Sequence, residues 1–210
     1  IIVDVQPTFT EGGELAVEGG NAVAERIHGF AERNRSRYTL IATTQDWHVE
    51  PGEHWSDHPD FVDTWPVHGA AGTPNARLHP AVESLGVPHH IKKGQYSAAY
   101  SGFEGVEDNG KAIPTRDDVA EALAAGRTLD ALLTGAGVTR VDIVGIALSH
   151  CVRDTALDAA SRGYDVRILT FTLQYPEFLF PGKSQTVHTP PPADLRITRR
   201  VSTVNPLSWI

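Results

Sequence analysis

The sequence predicts an α/β protein, a three-layer parallel sheet flanked by helices, followed by an atypical Pro-rich C-terminal tail. Three observations carry that expectation. Short apolar runs rich in β-branched residues, at 1–5, 38–44 and 141–148, read as buried strands. The first two are joined by a segment of helical period, at lengths that make a βαβ unit with a right-handed crossover. Composition is ordinary for one globular domain: 210 residues, 40% hydrophobic and 21% charged.

The first strand, IIVDV at 1–5, ends at an acid, Asp4, ahead of the breaker Pro7. A carboxylate there is either a turn former or a catalytic group. The chain opens inside this apolar run without a Met, which predicts a slightly truncated start. A helix is expected over 21–35, with Asn21 as N-cap and Val23, Ile27, Phe30 and Ala31 on its inner face. Residues 38–44 form the second strand.

Residues 45–74 have no clear period but hold Asp46, His48, His54, His58 and His68, with three of the four tryptophans. A loop of this length in a compact domain is functional or disordered, and its tryptophans argue for order. Asp46 and His48, two apart at a strand end, face the same side. Imidazole with carboxylate suits Zn²⁺, Fe²⁺ or Mn²⁺ with positions left open for water or substrate. Spacing alone does not choose between His54 and His58.

HHIKK at 89–93 is the third strand and ends at Lys93. Asn109-Gly110 within 107–111 signals a hairpin. Helical patterns cover 117–125 and 128–133. The run VDIVGIALSHCVRDTALDAASR at 141–162 then passes from strand to helix and carries the only cysteine, Cys151. At such a junction, exposed backbone N–H groups favour a thiolate and bind a developing oxyanion. The alternative is an inert core thiol. The last convincing strand is 164–170.

From residue 171 the character changes. The tail, 171–210, holds six of the 14 prolines, one glycine and no helical period, and reads as extended or poorly ordered. Domain organisation is therefore expected as one folded unit over 1–170 and a divergent tail over 171–210. A net charge of −8 without a basic run argues against nucleic acid and membrane partners. One cysteine forms no internal disulfide, which suits a reducing cytosol, and no apolar run approaches the ~20 residues of a membrane span. No signal peptide is recognisable, so a cytoplasmic location is expected.

Five blocks then fall into a familiar order: IIVDVQPTF with EGGELAV, TTQDWHVEPGEHW, WPVHGAAGTP, KKGQYSAAYSGFEG and VDIVGIALSHCVRDTALDA. The chain resembles the bacterial nicotinamidases, also called pyrazinamidases, of the isochorismatase-like cysteine hydrolase superfamily, over about residues 1–170. The resemblance implies a catalytic triad of Asp4, Lys93 and Cys151. It implies metal ligands Asp46, His48, His54 and His68, hence one divalent ion (Zn, Fe or Mn), and selects His54 over His58. It places a cis peptide between Ile146 and Ala147, an oxyanion hole at the N–H groups of Ala147 and Cys151, and a ring pocket at Phe9, Trp65, Tyr100 and Ile146. His150 precedes the nucleophile as in relatives.

The implied activity is hydrolysis of nicotinamide, and of pyrazinamide, in NAD salvage, by a monomer or homo-oligomer. Two other readings use the same residues: a superfamily hydrolase acting on a carbamoyl compound or isochorismate, and a non-enzymatic metal-binding remnant. The metal set argues against isochorismate. The tail departs from the family, which follows the strand at 164–170 with another helix and usually a final strand. Without that helix, apolar sheet surface would stay uncovered, at about 25 cal/mol per Å².

Overall fold

The computed structural model describes residues 1–170 and the backbone of Leu195–Ile197. Its strands are β1 (Ile2–Val3), β2 (Ala42–Asp46), β3 (His89–Lys93), β4 (Val106–Glu107), β5 (Arg140–Gly145), β6 (Asp165–Ile168) and β7 (Leu195–Ile197). They make one sheet in the order β4-β3-β2-β1-β5-β6-β7. All neighbouring pairs are parallel except β3 and β4. The all-parallel expectation is thus corrected at one edge. After Lys93 the chain turns back, and Gly105 lies so close to Ile91 and Lys92 that a Cβ would come within 2.7 Å of them.

Helices cover both faces. On one, α1 (Gly20–Asn34) and the short α2 (Pro80–Glu83) pack Val23, Ala24, Ile27 and Val82 against Ile2, Val5 and Val144. On the other, α4 (Leu129–Gly135) and α5 (Arg153–Ser161) pack Leu129, Leu133, Ala156 and Ala159 against Val3, Ile91, Ile143 and Val166. Alternate residues of one strand serve opposite faces, as the two-residue period requires: Ile2 faces α1, Val3 faces α5. Complete burial of a side chain such as Ile27 or Ile143 contributes about 1.5–3 kcal/mol. α3 (Arg116–Ala124) follows the β4 edge and opens on a reciprocal capping box between Thr115 and Asp118.

Local differences from the sequence expectations have local causes. Asn21 is not the cap of α1. Gly19 occupies that position with φ +77°, and the Glu11 carboxylate accepts from the N–H groups of Gly19 and Asn21 at 2.7 and 2.8 Å. Residues 107–111 do not form a hairpin, because β4 pairs backwards with β3. Asp108 and Asn109 instead cap the turn by accepting from Gly110 N and Lys111 N. The second strand starts later than expected, at Ala42, and runs on to Asp46. The expectation of an extended or poorly ordered tail lies outside the described residues, apart from Leu195–Ile197, which adds β7 beside β6. Among the described residues no helix is long and apolar enough to cross a membrane.

Candidate active site and metal centre

β1 pairs with β2 on one side and β5 on the other, so the strand order reverses between β1 and β5. Open α/β sheets leave a crevice at such a switch point, beyond the carboxyl ends of the strands. Asp4 follows β1, Asp46 ends β2, Lys93 ends β3, and Cys151 follows β5. The topology alone therefore gathers four residues that are up to 147 positions apart in sequence.

Asp4 is wholly buried and has φ +49°, a conformation that costs a non-glycine residue about 1–3 kcal/mol. Its surroundings hold it there. Asp4 N donates to Thr44 O, Gln6 N donates to Asp4 O, and Thr44 Oγ1 donates to Asp4 Oδ1 at 2.5 Å. Lys93, equally buried, aims Nζ at the centre of the cluster. Nζ lies 3.0 Å from Asp4 Oδ2, donates to Asp46 Oδ1 and to Ala99 O at 3.2 Å, and lies 3.7 Å from Cys151 Sγ.

Cys151 sits in a π-helical turn, Leu148–Val152, that leads into α5. Val152 N donates to Ala147 O across that turn, which sets the thiol at the helix entrance. The Ile146–Ala147 peptide is cis.

These groups shift one another. Burial raises Cys151 well above an ordinary thiol, and the carboxylates add to it; the Lys93 ammonium opposes but does not cancel them. Burial likewise raises Asp4, against Lys93 and with Asp46. Lys93 is itself disfavoured by burial, yet Asp4, Asp46 and Cys151 outweigh that and hold it charged. Asp46 resists burial too: Lys93 and the histidines beside it keep its carboxyl well below the usual range. The shifts keep the thiol neutral and Lys93 charged, and they make Asp4 a better proton acceptor than Asp46.

Three histidines lie against the far side of Asp46. The candidate ligand atoms of His48, His54 and His68 all lie within 4.8 Å of one another, and all three residues are buried. Asp46 Oδ2 is 3.7 Å from Nε2 of both His48 and His68. His48 Nδ1 bonds Gly94 O at 2.6 Å and His68 Nδ1 bonds Pro66 O at 2.7 Å. Those carbonyls accept hydrogen bonds from Nδ1–H, which orients each ring with Nε2 facing Asp46. His48 Nε2 and His54 Nδ1 are buried without a hydrogen bond. Burial, helped by the neighbouring histidines, lowers His54 to about 4, so it is neutral above that pH.

Buried imidazoles around one carboxylate, with His48 Nε2 and His54 Nδ1 left without a hydrogen-bond partner, fit a divalent metal ion. A second group, Asp4, Asp46 and Cys151, is equally close-set, but the Lys93 ammonium already supplies its cation. Gly94 makes room for His48: a Cβ there would meet the imidazole at 2.4 Å, and its φ is +72°.

The loop carrying the histidines is tied at both ends. Trp47 N donates to Lys93 O, His48 N to Gly69 O and Ala71 N to His48 O. Trp65 N donates to His54 O and Ser56 N to Trp65 O. Two of its neighbouring rings meet beside His150: Trp65 Nε1 donates to the Tyr100 hydroxyl at 2.9 Å, and both rings contact His150, at 5.3 and 6.2 Å. Phe9 stands 6.0 Å from His68. Ile146 is buried beside the turn, whereas His58 is exposed and outside the cluster. Two supporting residues carried no sequence signal. Thr44 reads as one more strand residue, and Gln6, which bridges Asp46 and Ala76 through their backbones, as a polar residue before a proline.

The fold and site define a hydrolase-type α/β sheet with a buried acid–lysine–cysteine cluster, and the Isochorismatase domain family matches it over residues 1–170; the chain belongs to that family. It is 41% identical over 169 residues to the nicotinamidase/pyrazinamidase of Mycobacterium tuberculosis, spanning 80% of this chain and 82% of that protein. To the nicotinamidase of Escherichia coli it is 28% identical over 184 residues, 81% of this chain and 79% of the other. Among solved structures, the pyrazinamidase of Pyrococcus horikoshii in complex with zinc matches with a TM-score of 0.56 and 33% identity, covering 80% of each chain. PnC1 from L. infantum in complex with nicotinate gives 0.59 and 32%, over 80% of this chain and 75% of that one.

Proposed function

We propose that this chain is a metal-dependent nicotinamidase that also accepts pyrazinamide, hydrolysing the carboxamide to the acid and ammonia through a thioester on Cys151. One observation carries the reading: a buried thiol within reach of both a proton acceptor and a fixed ammonium, beside three buried histidines. The 41% identity to a nicotinamidase/pyrazinamidase supports the choice of substrate.

Asp4 takes the Cys151 proton, and Lys93 stabilises the thiolate left behind. The exchange conserves the net charge of the cluster, so no new charge is created in a buried site. Sulfur then attacks the carboxamide carbon. The N–H groups of Ala147 and Cys151 receive the oxyanion, each donor lowering the barrier by about 3 kcal/mol. Asp4 returns its proton to the departing ammonia, then takes one from the water that cleaves the thioester and regenerates the thiol. Phe9, Trp65, Tyr100 and Ile146 enclose the ring. Asp46, His48, His54 and His68 would hold the divalent ion, Zn, Fe or Mn, which supplies a Lewis-acid site for the ring nitrogen. Residues 1–170 form the catalytic unit in this reading, and the product acid feeds NAD salvage in the cytoplasm.

Purified protein incubated with nicotinamide should release ammonia, and Cys151→Ala should cut turnover by about 10⁴-fold with metal content unchanged. Near-wild-type turnover in Cys151→Ala would remove the thioester from the mechanism.

A further inference from the structure

Phe61 is 59% exposed and holds φ +57°, a left-handed conformation that a bulky residue adopts only when its neighbours impose it. Asp60 imposes it. Its Oδ1 accepts from the N–H groups of Val62, Asp63 and Thr64 and from Thr64 Oγ1, each at 2.9 Å. Asp60 N donates to Thr64 Oγ1 at 2.9 Å, and Phe61 N to Thr64 O at 3.1 Å. This strained turn does not bury Phe61. It stands the ring edge-on to Trp65, with centroids 6.1 Å apart at 87°. Trp65 is in turn bonded to Tyr100 and packed on His150, the residue before Cys151. Its backbone is paired with His54 and Ser56.

We propose that Asp60 is a positioning residue for ring binding: its carboxylate clamps Phe61 as an outer brace that sets Trp65 against Tyr100 and His150. The brace touches neither the thiol nor the metal ligands, so it acts on affinity for a flat aromatic ring and leaves the chemical step alone. It rests on the nicotinamidase reading, which makes Trp65 a wall of the ring pocket and nicotinamide the ring.

Three variants separate the parts. Phe61→Asn removes the ring but tolerates the left-handed backbone. Asp60→Ala removes the clamp, and Asp60→Asn keeps an oxygen that accepts the same bonds. For nicotinamide, Phe61→Asn and Asp60→Ala should raise KM about threefold to tenfold, the range an edge-to-face contact supplies, with kcat within about twofold of wild type. Both should speed exchange of the Trp65 indole N–H, followed by NMR in the free protein, while Asp60→Asn stays near wild type in both readouts.

An unchanged KM, a loss confined to kcat, or an Asp60→Asn as impaired as Asp60→Ala would overturn the proposal. Should the wild type release no ammonia from nicotinamide, the substrate reading fails by itself. The Trp65 exchange rates then decide the brace: unchanged rates in Phe61→Asn and Asp60→Ala overturn it, and faster rates support it.

Discussion

The acid–lysine–cysteine cluster and the three-histidine cluster share Asp46, yet they are built by opposite means. The first is set by the sheet. Asp4, Asp46 and Lys93 sit at the carboxyl ends of three adjacent strands, and Asp46 and Lys93 are direct register partners across β2 and β3. The second hangs on a loop whose only regular pairings are single bridges, His48 to Ala70 and Trp55 to Trp65. Strand ends inherit their precision from the core; a loop must obtain it from hydrogen bonds and from whatever ion its imidazoles bind. Charge follows the same division. The strand cluster carries its own cation, Lys93, while the histidine cluster turns ring nitrogens towards the Asp46 carboxylate.

The most disruptive way to break the comparison is Lys93→Met. It keeps side-chain bulk but leaves Asp4 and Asp46 buried without their cation, which should cost about 3–5 kcal/mol of stability and most of the activity. Because Asp46 also faces the histidines, the loss on thermal melting should be larger in chelator-treated protein than in protein loaded with Zn²⁺. Equal losses would mean that the two clusters do not share Asp46 energetically.

Metal removal comes next. Stripping an ion that was present at a hundredfold excess over its Kd should lower stability by about 2.7 kcal/mol. Amide exchange should quicken over residues 47–74, with β1, β2 and β3 still protected. Uniform deprotection of loop and strands would erase the distinction drawn between them.

Thr44→Val gives the smallest effect and sharpens the electrostatics. Asp4 titrates above its ordinary 3.8, so its carboxylate, the proposed base, is lost on acidification sooner than an ordinary aspartate would be. The acid limb of kcat/KM should therefore lie above pH 3.8. The Thr44 hydroxyl favours the charged form, and its removal should push that limb higher still while costing about 1 kcal/mol. For stability the sign is the usual one for a raised acid: the folded chain binds the Asp4 proton more tightly than the unfolded chain. That contribution is full below 3.8 and is lost as pH rises through the folded value. An acid limb that does not move in Thr44→Val would assign it to another group.

Much of this arrangement was legible beforehand for identifiable reasons. HHIKK reads as a strand ending at Lys93 because it lies between the loop proline Pro88 and Gly94, and the strand is His89–Lys93. Cys151 read as a strand-to-helix junction because the period of the apolar residues changes there. Less was legible where a long-range partner overrides a local signal. Asn21 is a good cap by type, but Glu11 reaches the helix start first. Asn109-Gly110 is a good hairpin turn by type, but β3 offers the better partner strand. The choice of His54 over His58 followed from family resemblance, and burial now separates them physically.

The sequence by itself determined the residue types, their order and the alternation of strands and helices, since those depend on local periodicity and side-chain chemistry. Only the tertiary structure decided that one carboxylate, Asp46, turns one oxygen to the Lys93 ammonium and the other to two imidazoles. That depends on which residues face each other across neighbouring strands, and register is a property of the assembled sheet rather than of any segment in it.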